Sequence, residues 1–179
     1  MPRRFFVGGC WLEAAIFGSQ HGSLQMFQIN PLPSAAFAHL SGLSEDELDS
    51  RGVVVRQAGE GDRFPCRVSL RDAQPGERAF LLNFQHQQAD TPYRSSYAIF
   101  VIDGAEQAKL APGELPAVFK GRPIALRAFS RVGMLLDAGM AMGEATAPVI
   151  ERLFQNADVE YIHAHNAMHG CYSARIDRA

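Results

Sequence analysis

A single α+β domain is the fold class this sequence predicts: a mostly antiparallel or mixed sheet built from hairpins, a few short helices and one longer helix at about 146–156. Three observations lead there. Short segments of strand-like alternation are separated by turn signals such as Pro75-Gly76. Only one segment carries a long apolar stripe at helical spacing. At 179 residues, 47% hydrophobic and 20% charged, the chain is long enough for one sizeable core and too short to need two.

The regular pattern starts at Met26. Phe27-Gln28-Ile29-Asn30 reads as a strand closed by Pro31 and Pro33. A short helix follows over 35–40, where Phe37 and Leu40 lie three apart. Ser44 with Glu47 is a capping-box signature for a second short helix over 45–51, stopped by Gly52. Val53, Val54 and Val55 are β-branched and predict an extended segment, followed by a loop with Gly59 and Gly61. Segments 66–70 and 79–85 predict a hairpin through the Pro75-Gly76 turn.

Residues 97–102 form a continuous apolar run, which predicts a central strand buried on both sides. After a polar loop, a helical turn is expected over 115–120, and a hairpin joins 124–129 to 134–137. Val149, Ile150, Leu153 and Phe154 make the apolar stripe of the longest helix, with Pro148 in its first turn and Thr146 as its cap. About eight strands and three or four helices result.

Residues 1–25 read as an extension of low structural content ahead of a domain spanning 26–179. Arg3-Arg4 and the apolar run after them resemble a signal sequence superficially, but Glu13 interrupts the run and no small-residue cleavage site follows. Trp11 and Cys10 then carry no function.

Composition excludes several classes of function. A formal net charge of −2 and a pI near 6.3 provide no basic field for nucleic acid. No run approaches the roughly 20 apolar residues of a membrane helix. Cys10, Cys66 and Cys171 are few and odd in number, which fits reduced thiols and a cytoplasmic location better than a disulfide framework.

Chemistry concentrates near the C-terminus, where residues 159–177 hold three of the six histidines and Cys171. In a strand, alternate residues share a face, so Tyr161, His163 and His165 project together. Asn166 to Gly170 is turn-like, and the returning strand puts Tyr172, Ala174 and Ile176 on one face and Cys171, Ser173 and Arg175 on the other. Burying both apolar sets together predicts His165 opposite Cys171, His163 opposite Ser173 and Tyr161 opposite Arg175.

Such a row allows three chemistries. His163 and His165, about 6.8 Å apart along the strand, could start a site for a divalent metal, with His86, His169 or Cys171 as the third ligand; this is not the favoured option, since buried hydrogen-bonded histidines are commoner. A Cys171 thiol beside His165, with Asn166 orienting the ring, would make a nucleophile. Arg67, Arg94 and Arg175 offer bidentate donors to an anion, with His86 and the loop over 87–96 completing the binding edge. Arg71 is satisfied locally by Asp72 and Glu77, and Cys66 belongs to the core. No phosphate loop, Gly-x-Ser-x-Gly elbow, Cys-x-x-Cys or His-Glu-x-x-His is present.

Several ordered motifs go further: Pro65-Cys66-Arg67-Val68-Ser69-Leu70-Arg71-Asp72-Ala73, Leu81-Leu82-Asn83-Phe84-Gln85-His86, Pro92-Tyr93-Arg94, Ala98-Ile99-Phe100-Val101, and Tyr161-Ile162-His163-Ala164-His165-Asn166 with Gly170-Cys171-Tyr172. Together they resemble the uncharacterised bacterial domain-of-unknown-function family 1203, from about Phe27 to the C-terminus. The resemblance implies one domain of bacterial origin and brings no reaction, substrate or cofactor. The functional expectation is therefore the residues' own: a small-molecule enzyme acting on an anionic metabolite through a His/Cys/Arg site on one sheet face. The alternative is a non-catalytic ligand-binding or assembly module. Cofactor identity and oligomeric state stay open at this level.

Overall fold

The structure is a computed structural model and describes residues 26–179; the expectations for the first 25 residues lie outside the described region. Eight strands form two antiparallel sheets. They are β1 Phe27–Asn30, β2 Val54–Gln57, β3 Arg78–Gln87, β4 Ser95–Ile102, β5 Pro123–Phe129, β6 Leu135–Met142, β7 Tyr161–Asn166 and β8 Tyr172–Arg178. The larger sheet runs β1-β8-β7-β5-β6 and the smaller β2-β3-β4. Two α-helices, α1 Glu45–Asp49 and α2 Thr146–Phe154, join four single 3-10 turns. The architecture is α+β. Among the described residues no helix is long and apolar enough to cross a membrane.

Each face of the larger sheet has its own partner. Ile124, Leu126 and Ala128 of β5, Ile162 and Ala164 of β7, and Ala174 and Ile176 of β8 alternate onto one face and bury Ile150, Leu153 and Phe154 of α2. Each Ile, Leu or Phe side chain among them contributes about 1.5–3 kcal/mol through removal from water, and each Ala less. Thr146 is the first helical residue rather than the cap, and its hydroxyl donates to the Gly143 carbonyl. The other face receives the smaller sheet, whose core of Leu48, Val53, Phe80, Ile99 and Val101 includes Tyr172 from β8. Helix α1 has the capping box its sequence announces: Ser44 accepts from the Glu47 N–H, and Glu47 accepts from the Ser44 N–H at 2.9 Å.

Besides the Thr146 cap, three expectations change. Residues 66–70 form a tight turn instead of a strand: the Leu70 N–H donates to Cys66 O, Leu70 has φ +50°, and the Cys66 thiol accepts from the backbone N–H groups of Val68, Ser69 and Ile102. The hairpin partner of β3 is consequently β4. That makes β4 an edge strand rather than a central one, with Tyr97 47% exposed. Finally, the β7/β8 register differs from the expected one by two residues: His163 opposes Arg175 and Ala164 opposes Ala174. A β-bulge after Ala164 then sets His165 opposite Tyr172.

Candidate functional site

The bulge determines what surrounds the histidines. It absorbs one extra residue of β8, so Tyr172 turns to the same face as His163 and His165 instead of joining Ala174 and Ile176. From the opposing sheet, His86 near the end of β3 lies over this face, stacked on the Tyr172 ring with centroids 5.1 Å apart. Its ring is also 5.0 Å from that of His165 and 5.8 Å from that of His163. One ligand nitrogen from each of His86, His163 and His165 lies within 4.8 Å of the others, and this is the one cluster of its kind among the described residues.

His163 and His165 are buried and His86 is half-buried. His163 is 3% exposed and His165 1%. Burial, ahead of the positive charges of neighbouring groups including Arg127, pushes His86 down to about 4 and His163 and His165 to about 3. They are neutral at pH 7, with one lone-pair nitrogen each. For His165 the tautomer follows from geometry: Nδ1 lies 3.1 Å from the Gly170 carbonyl, which only accepts, so Nδ1 carries the proton and Nε2 the lone pair. Backbone-carbonyl anchoring of this sort is how metal-ligating imidazoles are commonly oriented.

Four buried side-chain polar atoms among the described residues lack a hydrogen-bond partner, and three of them are His86 Nδ1, His163 Nδ1 and His165 Nε2. A buried group left unsatisfied costs about 1–3 kcal/mol, so three in one place is a large deficit for a side-chain cluster to carry. Mutual distances of up to 4.8 Å leave a point no more than about 2.8 Å from all three atoms, against about 2.0–2.1 Å for a zinc–imidazole bond. A ring shift of under about 1 Å closes that gap. The donor set fits a divalent transition ion, and three protein ligands leave a coordination position open.

The open side is a cleft of about 370 Å³ to which His86 and His163 contribute, rimmed by Arg131, Arg175, Glu160 and Gln88. Arg175 lies with its guanidinium carbon 4.0 Å from the centre of the Tyr161 ring and pairs with Asp177 at 2.8 Å. The Tyr161 hydroxyl and the Gln87 amide hydrogen-bond at the cleft wall, at 2.8 Å.

The expected site residues therefore divide. His86, His163, His165 and Arg175 come together, with His86 a ring of the cluster and not only an edge of the binding surface. Cys171, Asn166 and Arg67 line a different cavity, and the thiol is not part of the histidine cluster. The Asn166 side-chain Oδ1 accepts from the Met168 N–H and closes the turn, so it does not orient an imidazole. Arg94 is exposed on the β3–β4 connection and pairs with Asp90 at 3.0 Å. His169 is exposed and lines the Cys171 cavity. Arg127, Tyr172, Arg131 and Glu160 lie outside the expected set, whereas Gln87 opens the loop over 87–96 expected at the binding edge. Only Arg127 had a signal, its shared parity with Ala125 on a strand, and the pairing of Arg127 with His163 needs the sheet order.

Fold and site together define a small two-sheet α+β protein with a tri-histidine centre between its sheets. Residues 63–178 match the family described as "Protein of unknown function (DUF1203)", and the chain belongs to that family. No curated protein and no solved structure matches the chain.

Proposed function

We propose that this protein is a metal-dependent enzyme that binds one divalent transition ion at His86, His163 and His165 and acts on a small anionic molecule entering through the adjacent cleft. The observation that carries this reading is the convergence of three neutral imidazoles, one nitrogen of each within 4.8 Å of the others, in a cluster where each ring also has a buried nitrogen without a hydrogen-bond partner. Bound there, the ion supplies Lewis acidity toward an oxygen of the substrate. His165 keeps its ligating nitrogen deprotonated through the Gly170 carbonyl, and His86 and Tyr172 shield the centre from water. Three neutral ligands leave the ion's charge uncompensated, and Arg127 adds to the positive field while Arg175 is balanced by Asp177, so the incoming group is an anion. Cys66 and Cys171 are both buried and unpaired, which supports a reducing compartment such as the bacterial cytoplasm.

Untagged protein is assayed for metal by mass spectrometry, then stripped and titrated with Zn²⁺ and Co²⁺. One ion per chain is expected, with a visible Co²⁺ spectrum of tetrahedral intensity, and each of His86→Gln, His163→Gln and His165→Gln should weaken binding at least a hundredfold. Protein that is metal-free as purified and takes up neither ion would refute the reading and leave an internal water as the partner of these nitrogens.

A further inference from the structure

The second cavity holds a charge problem of its own. It encloses about 400 Å³, within the range of small-molecule sites, between the β3–β4 sheet and the turn over 166–171. Three arginines line it: Arg63, Arg67 and Arg122. Asp72 serves two of them, pairing with Arg122 at 2.6 Å and Arg63 at 3.7 Å. Arg67 is only 2% exposed, yet it has no acidic partner among the described residues. Its Nε donates to the Tyr172 carbonyl at 2.7 Å and its Nη1 to the Pro65 carbonyl, two neutral acceptors. Beyond these two carbonyls the side-chain partner of this guanidinium is the Cys171 thiol, a weak acceptor and not a carboxylate. Burying an unpaired cation is costly, whereas an anion delivered by a ligand would compensate it. Much of the remaining wall is apolar, with Asn166 and His169 on the side of the turn: Phe64 and Phe100 are stacked, with centroids 4.6 Å apart, and Leu81 and Met168 stand with them.

We propose that this cavity is a second ligand site, taking an organic carboxylate whose charged end is held by Arg67 beside Cys171 and whose apolar body lies along Phe64, Phe100 and Leu81. With Nε and Nη1 engaged by backbone carbonyls, Nη2 supplies the charge-assisted donor to a carboxylate oxygen, and the apolar wall disfavours ions with no hydrophobic part. The site is independent of the histidine centre, since none of its lining residues is a member of that cluster.

Untagged protein as purified is titrated calorimetrically with hexanoate, hexanamide and inorganic phosphate, and alkylation of Cys171 by iodoacetamide is followed by mass spectrometry. Hexanoate should bind with one-to-one stoichiometry, at least tenfold tighter than hexanamide, resist competition by phosphate and slow alkylation of Cys171 at least fivefold. Arg67→Met should remove the preference for the carboxylate over the amide. Ala98→Trp, at an exposed position on the cavity rim, should abolish hexanoate binding without touching the buried guanidinium, and covers the case in which Arg67→Met does not fold. Equal affinity for acid and amide, phosphate competing on equal terms, or fast alkylation of Cys171 at pH 6 that hexanoate does not change would each overturn the proposal; in the last case the thiolate itself balances Arg67. Metal content is measured on the same samples, so loss of the metal reading leaves this result standing.

Discussion

His86 and Tyr172 stack with their ring planes 9° from parallel, and through this contact the smaller sheet places an imidazole over the two that β7 supplies. Tyr172 also touches His163 edge-on at 5.2 Å. One side chain therefore contacts imidazoles from both sheets, and its own orientation depends on the β8 bulge.

Removing that ring should separate metal affinity from folding. Tyr172→Leu keeps an apolar side chain in the smaller sheet's core and loses aromatic contacts worth about 1 kcal/mol each. The protein should stay folded, with a lowered melting temperature, while Zn²⁺ affinity falls at least tenfold because His86 is no longer held. Calorimetric titration and thermal unfolding of the same sample read the two effects.

The unpartnered nitrogens imply a trade of stability for binding. His163 stands in an aromatic nest with Phe129 at 5.2 Å and Tyr161 at 5.1 Å. His163→Phe retains those contacts and deletes a buried polar atom, so the metal-free variant should be more stable than metal-free wild type by about 1 kcal/mol in urea unfolding. It should also bind no metal. A destabilised variant would mean that His163 Nδ1 has a partner in solution.

Acid should weaken the metal-free fold in a defined window. His163 and His165 are held near 3 in the folded state by burial, below their ordinary value near 6.5. Above about pH 7 both states are neutral and stability does not change. As pH falls below 6.5 the unfolded chain takes up protons that the folded chain refuses, so unfolding becomes easier by up to about 1.4 kcal/mol per pH unit for each of the two, until the folded values are reached. His86, held near 4, acts in the same direction over a narrower range. Urea midpoints at pH 7.5, 6.0 and 5.0 measure the slope, and an equal midpoint at all three would contradict the buried, neutral assignment.

The cleft wall rests on Gly133. Its φ is +83°, a region L side chains rarely occupy, and a Cβ there would sit 2.3 Å from the Ala89 Cβ. Gly133→Ala should push the connection carrying Gln87 and Ala89 away from Tyr161 and cost about 2 kcal/mol of stability. Faster amide hydrogen exchange confined to 87–96 would locate the change.

Much of the local structure was legible in the chain. Phe27–Asn30, the Ser44–Glu47 capping box and the apolar stripe of α2 depend on neighbours within a turn or a strand, and they form as their residues dictate. The same holds for the shared face of His163 and His165, since alternation along one strand is a local property. Residues 66–70 misled because Cys66, Val68 and Leu70 alternate like a strand while Leu70 takes a positive φ that the sequence does not mark.

What the sequence alone determined, then, is an α+β domain with two histidines side by side near its C-terminus. The tertiary structure decided the third imidazole of the cluster, the removal of Cys171 to another cavity and the reversal of Tyr172. His86 is 77 residues from His163 in the numbering, and its approach depends on how one sheet packs on the other. The bulge that reverses Tyr172 leaves no mark in local composition, because burial on the far face and packing against β3 set the register together. Spacing along a chain specifies which residues share a strand face; only long-range packing specifies what that face meets.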